Sequence, residues 1–488
     1  MEKILIFYTP IFEEVDTYTK IIQSIIFENS NKKIFIAKCD GKMHLKNCVS
    51  NYKAENYKCL ICKDKLSKLS YQNENLIVLR YNESSYENEK FNDVRELKNL
   101  KYRGINIGTG VHSAAISIIR SHEYSVSFNK KLIESIINTS KKTIDFLFEN
   151  KNHNFKKIYV FNGRVSHFNA VVEFSKHFKI DFFTFEIANN KKNFLLVKNA
   201  IPHSRKIYNE DLTNSWHQSD KTKRERIGMK YFSNEKSKKY NLIDYSSFQV
   251  RGNIPKEIKS LNKVITIFGS SRNEYESIEG WKNEFLSGDD EEIIKEVCKN
   301  FKHINFVYRA HPNLKLKRNT QTKNIENLKK IKNLLVYDQY SKISTYELIE
   351  ISEKIIVFAT TLGVEATFMN KPVISLGPSI YEALDISYRP KNLIELKELL
   401  DDEDLGPKPR EEAIKFGYYE LTRGIPLNKK AIDLNLKLNF YMRFNVFISK
   451  LLNVFRTYNM EQFLSYLSSL NDKRIRNQII KYFFNKNH

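Results

Sequence analysis

Short apolar runs alternate with longer amphipathic or polar stretches in two successive series along this chain, and that doubled alternation restricts its fold more than any other feature. The first series reads KILIFYT, KKIFIAKC, NLIVLRY, KIYVFNG and DFFTFEI; the second reads KVITIFG, NFVYRAH, LLVYDQ, KIIVFA and KPVISLG. A run that is apolar on both faces and bounded by helical sequence is what a parallel strand needs when helices cover it on either side. Between Ile201 and Pro255 the chain becomes polar and charged, with the cluster KTKRER, and the β-pattern lapses. Two parallel sheets are implied.

The expected fold class is α/β, with two Rossmann-like domains facing a cleft and a C-terminal helical extension. Residues 1–200 form the first domain, 201–255 interdomain helices and linker, 256–425 the second domain, and 426–488 a basic amphipathic helical extension. A chain of 488 residues has room for two full cores, and its low content of Gly (15) and Pro (10) argues against long disordered segments. The N-terminus, MEKILIFYTPIFEEV, reads as a first strand, because its apolar run soon meets acidic residues and no small-residue cleavage site follows. No stretch approaches the ~18 uninterrupted apolar residues of a membrane span. The expectation is a cytoplasmic protein, peripheral at the inner face of the cell membrane if it meets one.

Lys and Arg number 80 against 57 Asp and Glu, a formal charge of +23. Such a balance attracts polyanions or an anionic leaflet. The sequence holds no arginine-rich reading helix, RNP-type aromatic motif or zinc-finger pattern, so no nucleic-acid partner is expected. The last segment, including KRIRNQIIKYFFNKNH, is basic as well as apolar. It suits helices that pack back across the domains, with an anionic membrane surface as a further partner for their basic face.

The most informative segment is KIIVFATTLGVEATFMNKPVISLG, from Lys354 to Gly377, which reads strand, turn, helix, strand. Thr360 and Thr361 fall where a strand gives way to a helix, so their hydroxyls and nearby N–H groups can meet a phosphate. Gly363 permits close approach. Glu365 lies about one turn into the helix, where a carboxylate can accept from ribose hydroxyls. Upstream, NFVYRAHPNLK places Arg309 and His311 at another strand end. An Arg can clamp a diphosphate bidentately, and a His can donate to a phosphate or a leaving group. Helix capping by Thr360 and a purely structural His311 are the plain alternatives.

Y-R-A-H-P, D-Q-Y-S-K-I-S-T-Y-E-L-I, T-T-L-G-V-E-A, N-K-P-V-I-S-L-G and Tyr381 together resemble bacterial capsule-polysaccharide biosynthesis glycosyltransferases, and the two-domain plan resembles the GT-B type. The match covers roughly the second domain. It implies a donor cleft built from an R-x-H-P turn and an S/T-x-G-x-E-A helix, and so donor roles for Arg309, His311, Thr361 and Glu365. Polyol-phosphate polymerases share the layout.

On the acceptor side, KKIYVFNGRVSHFNAVVEFSKHFKIDFFTFE places Asn162, Gly163 and Arg164 after a strand as an anion-binding turn, and Glu186 at the end of the next strand. Glu186 is the candidate general base, with a salt bridge to Arg164 as the equal alternative. Ser270, Ser271 and Glu274 follow the first strand of the second domain, where the two hydroxyls can help hold a diphosphate. Cys39, Cys48, Cys59 and Cys62 cluster, the last two as a C-L-I-C knuckle, and four thiolates can hold a structural zinc ion. No catalytic cofactor is expected.

Taken together, the expected activity is transfer of a sugar from a nucleotide-sugar donor, held by Arg309, Thr360, Thr361 and Ser271, to a glycan or lipid-linked glycan acceptor, with Glu186 and His311 as the catalytic pair. A polyol- or sugar-phosphate transferase, a noncatalytic polysaccharide-assembly protein and a sugar-nucleotide epimerase are the competing readings.

Overall fold

The computed structural model describes residues 1–8, 15–39, 56–69, 76–82, 86, 91, 93–190, 192–236, 249–315, 317, 319–433, 435–438, 440–443 and 445–446. All ten apolar runs are strands. In chain order the first domain contributes β1 (Lys3–Tyr8), β2 (Lys33–Lys38), β3 (Leu76–Arg80), β4 (Lys157–Phe161), β5 (Asp181–Ile187) and β6 (Asn193–Lys198). The second contributes β7 (Ile265–Phe268), β8 (Phe306–Arg309), β9 (Leu334–Tyr337), β10 (Lys354–Val357) and β11 (Val373–Ser375), and a short β12 (Ile425–Pro426) follows.

The first sheet runs β12-β6-β5-β4-β1-β2-β3. Its strands from β5 to β3 are parallel, and β6 and β12 are added antiparallel. The second sheet, β9-β8-β7-β10-β11, is parallel throughout. In both, the chain builds one half of the sheet outward from its first strand, then returns to build the other half. That reversal opens a crevice at the C-terminal ends of the strands, beside the first strand.

The segment read as linker is helical where described, at Arg205–Gln218 and Arg224–Lys236. These helices do not merely span a gap. They pack with Arg410–Thr422 around Tyr208, Leu212, Tyr231, Phe232, Val364, Tyr381 and Phe416, a core that also holds the helix after β10. Gly228 and Gly417 face each other at the crossing, where a Cβ on either would run into the opposing backbone. Phe232 stacks on Phe368 with ring centroids 3.7 Å apart.

The border expected at residue 425/426 falls inside β12, which pairs with Phe194 and Asn193 of the first domain. After it, the Asn428 N–H donates to Ser24 Oγ at 3.0 Å, and the short helix Lys429–Ile432 rests against Val15–Glu28. The chain therefore returns to the first domain. Residues 447–488, and with them most of the basic extension, lie outside the described residues. Among the described residues no helix is long and apolar enough to cross a membrane.

Phe416 is 1% exposed and lies against Tyr231 and Tyr381. Phe416→Ala is expected to cost about 3–5 kcal/mol, the usual range for emptying a large aromatic site, read as a lower midpoint in urea denaturation.

Candidate functional site

The pairing of β7 with both β8 and β10 brings three strand ends side by side. Phe268 and Gly269 lie between the turn Arg309–Pro312 and the turn Thr360–Thr361, and the three together line a cavity of 190 Å³ with Glu365. Arg309, His311, Thr360, Thr361 and Glu365, named from sequence for one site, thus share one cavity. Tyr231, Gln249, Thr345 and Tyr346 also line it. Sequence reasoning passed over these four. The Ser344 cap before T-Y-E-L was a legible helix start for Thr345 and Tyr346, whereas nothing local marks Tyr231, which arrives from the supposed linker.

The roles within the cavity differ from expectation. Arg309 is 2% exposed, and its guanidinium donates to the carbonyls of Ala310 (2.9 Å), Asp338 (2.6 Å) and Ser341 (3.1 Å). Burial holds its pKa down at about 10. It is a brace for the turn after β9 rather than a clamp extended toward a diphosphate, because two of its nitrogens are already committed to backbone. Gly363 also does other work than expected: a Cβ there would fall on the Tyr381 hydroxyl. That hydroxyl donates to the Thr360 carbonyl at 3.0 Å and so fixes the turn.

Thr360 Oγ1 accepts from the Leu362 N–H at 3.4 Å, while Thr361, at the N-cap of Leu362–Phe368, makes no capping bond with its side chain. Glu365 is 7% exposed within the helix and lines the cavity from below the turn. His311 Nδ1 accepts from the Asn313 N–H at 3.1 Å and caps the turn Pro312–Leu314. Burial, helped by the charges of Lys317 and Arg309, pushes its pKa down to about 4. At neutral pH the ring is therefore uncharged, and with Nδ1 accepting, its proton sits on Nε2 as a donor.

Ser270 and Ser271 do not join the cavity. Ser270 Oγ is fully buried between Tyr275 Oη, at 2.5 Å, and the Asp290 carboxylate. Ser271 Oγ faces Asn273 and accepts from Lys317 Nζ at 3.1 Å. Ser270 is drawn onto Asp290 of the helix Asp290–Asn300 and Ser271 onto Asn273 and Lys317, which leaves Gly269 at the strand end.

In the first domain, Asn162 and Gly163 adopt φ of +54° and +73°. Asn162 Oδ1 accepts from the Arg164 N–H and its Nδ2 donates to Glu186 at 3.0 Å. The Arg164 guanidinium reaches the second domain, donating to the Glu274 carbonyl at 2.8 Å. It is a tie between domains. Gly163 and Arg164 line a second cavity, of 690 Å³, together with Thr109, Lys176 and Arg205 and with Ser277 and Gly280 of the second domain. Glu186 lines neither of these two cavities; it accepts from Asn162 Nδ2, and its charge acts electrostatically on Arg164.

Cys59 and Cys62 lie within the helix Asn56–Ser67, about one turn apart on one face. Burial first, then neighbouring Cys59 and Cys39, raises the Cys62 thiol to about 12. Cys48 lies outside the described residues. Among those described, the one group of His, Cys, Asp and Glu close enough to share an ion is His122, Glu123 and Asp289, which does not include a cysteine.

No family model and no curated protein matches the chain. Among solved structures, the KpsC β-Kdo 2,7-transferase of Thermosulfurimonas dismutans aligns over 57% of this chain and 90% of its own at 16% identity, with a TM-score of 0.32. The UDP-GlcNAc 2-epimerase of Neisseria meningitidis, bound to UDP-GlcNAc, aligns over 86% and 97% at 13% identity and TM-score 0.27. MurG of Acinetobacter baumannii aligns over 90% and 100% at 9% identity and TM-score 0.26. Likenesses this distant leave the chemistry to be read from the residues themselves.

Two outcomes are expected. Gly363→Ala overpacks the turn and costs about 1–3 kcal/mol; adding Tyr381→Phe, which removes the obstructing hydroxyl, recovers part of that loss in a double-mutant cycle. Because the folded His311 pKa lies below its unfolded value of 6.5, the unfolded chain binds the proton first. Its contribution to stability is complete above about pH 6.5 and is lost toward pH 4, at about 1.4 kcal/mol per pH unit. Urea midpoints of His311→Gln should decline less steeply over that window than those of the parent protein.

Proposed function

We propose that this protein is a glycosyltransferase that moves a sugar from a nucleotide-sugar donor to a capsule or other surface-polysaccharide acceptor. The observation that carries this is the convergence of Thr360, Thr361, Glu365 and His311 on one cavity at the reversal point of the second parallel sheet. Such a crevice is where α/β folds take nucleotides. The chemistry of the lining fits the parts of the donor: the carboxylate of Glu365 accepts from ribose hydroxyls, and the Thr361 hydroxyl and the Nε2–H of neutral His311 donate to phosphate oxygens.

At 190 Å³ the cavity is smaller than the roughly 300–1,000 Å³ of complete ligand pockets. It accommodates part of the donor, and the sugar projects toward the interdomain cleft, where the second cavity receives the acceptor. As the bond from the anomeric carbon to phosphate lengthens, donors already in place at His311 and Thr361 stabilise the charge left on the phosphate oxygen, which is where fixed dipoles lower a barrier. Arg309 serves indirectly, by holding the turns that carry them. The charge of +23 and the basic segment at the C-terminus favour peripheral contact with an anionic leaflet, where a lipid-linked acceptor would be presented.

A panel of UDP-, GDP-, dTDP- and CMP-linked sugars, screened by thermal shift, tests the reading. A donor at 100 times its Kd should add about 2.7 kcal/mol of stability. Thr361→Val and Glu365→Gln should each weaken its binding about tenfold, equivalent to about 1.4 kcal/mol. A phosphodiester product would instead identify a phosphotransferase, and a free isomerised sugar an epimerase; no shift with any donor would remove the reading.

A further inference from the structure

A third cavity, of 480 Å³, lies between the outer strand β6 and the helices Arg205–Gln218 and Arg410–Thr422, and it shares no lining residue with the two described above. Its volume falls within the roughly 300–1,000 Å³ of complete ligand pockets. β12 pairs with β6 only at Phe194 and Asn193, so Leu195, Leu196 and Val197 beyond that pairing are left to form one wall. The chain at Arg423–Ile425 closes one end. There Gly424 takes a φ of +90° and lies so near β6 that a Cβ would run into the Phe194 carbonyl. Asn193 Nδ2 fixes the same turn by donating to the Arg423 carbonyl at 3.0 Å.

Asp211, Asn214, Ser215 and Gln218 line the cavity from the helix Arg205–Gln218, and their spacing puts all four on one helical face. Among the described residues, none of these four side chains has a hydrogen-bond or ion-pair partner. Tyr418 and Tyr419 line it from the other helix, and Tyr418 is half-buried, edge-on to Trp216 with ring centroids 5.7 Å apart. Charge here is nearly balanced. Arg423, the only cation of the lining, is bonded to Glu420 at 2.6 Å and lies over the rings of Tyr208 and Tyr419. That leaves Asp211, whose carboxyl burial pushes above the usual range while Arg423 pulls it down. The interdomain cavity differs, with Arg164, Lys176, Arg205 and Lys206 set against Glu173 and Glu279.

We propose that this third cavity is a glycan-binding site, which holds uncharged sugar residues of a saccharide chain away from the donor cavity. A pyranose presents C–H groups on its faces and hydroxyls around its edge, and each hydroxyl both donates and accepts. The walls match the two parts. Tyr418 and the aliphatic side chains of β6 offer apolar surface to a sugar face, with the tyrosine keeping a polar tip. Along the opposite wall, Asn214, Ser215 and Gln218 can donate and accept, and Asp211 accepts. A phosphate or a uronic acid would meet Asp211 without a cation left to hold it, since Arg423 is already neutralised by Glu420.

Saturation-transfer NMR of the full-length protein with cellohexaose, maltohexaose and chitohexaose, and with hexagalacturonate as the charged counterpart, tests the site. Transfer to at least one of the three neutral oligosaccharides, and none to hexagalacturonate at the same concentration, is expected. Affinity is then read from Trp216, which Trp281→Phe leaves as the single tryptophan of the chain, because a sugar seated on Tyr418 alters its surroundings. Asp211→Ala and Asn214→Ala change exposed side chains and should each weaken binding about tenfold, the worth of one good hydrogen bond. Tyr418→Ala should weaken it at least as much; the two exposed positions keep the site testable if this variant folds poorly. Oligosaccharide binding needs no nucleotide, and Asp211→Ala should keep the parental thermal shift with any donor, so this site and the donor cavity fail separately. No transfer to any of the three neutral oligosaccharides overturns the proposal. So does equal transfer to hexagalacturonate, or parental affinity in both Asp211→Ala and Asn214→Ala.

Discussion

Parallel pairing of β7 with both β8 and β10 is the constraint on which the site depends. A parallel strand can be followed by another only through a crossover, so every loop at the C-terminal edge of the sheet begins from the same side. With β7 in the middle, the turn carrying His311, the glycine at Gly269 and the turn carrying Thr360 and Thr361 must come together, although they are far apart in sequence. No side chain of the cavity has to be long to reach it, because the sheet delivers the backbone there.

The turns are then made rigid by buried polar groups satisfied inside the protein. Arg309 ties the end of β8 to the turn after β9, and Tyr381 ties the Thr360 carbonyl to the helix-covered side of the domain. A buried guanidinium is tolerable only when its donors are largely matched, and carbonyls beside Nη1 and Nη2 of Arg309 meet part of that cost. Lys354 follows the same rule at the start of β10, with Nζ donating to the carbonyls of Leu400 and Asp402 at 2.7 Å each. Charge in this sequence is therefore not always surface charge or ligand-binding charge.

The two domains are held by ties of different kinds. Ser113 meets Ser277 at 2.9 Å, Asn319 reaches the Arg120 carbonyl at 2.8 Å, and Arg164 reaches the Glu274 carbonyl. In addition, β12 returns to the first sheet, and the helices of residues 205–236 pack with Arg410–Thr422.

The alternation of apolar runs by itself determined the ten principal strands and the α/β class, since a strand covered on both faces must be apolar throughout and each crossover needs helical sequence. It also determined which strand-end residues belong together, because strand ends are local features and the motifs around Arg309 and Thr361 lie at them. Only the tertiary structure decided what each residue does. Arg309 and Ser270 are turned inward by carbonyls and carboxylates supplied from distant segments, Gly363 makes room for Tyr381 rather than for a ligand, and Tyr231 enters the cavity from helices that read as linker. Side-chain partners depend on packing between elements remote in sequence, and no local pattern encodes them; for the same reason Glu186, at a strand end as expected, stays beside Asn162.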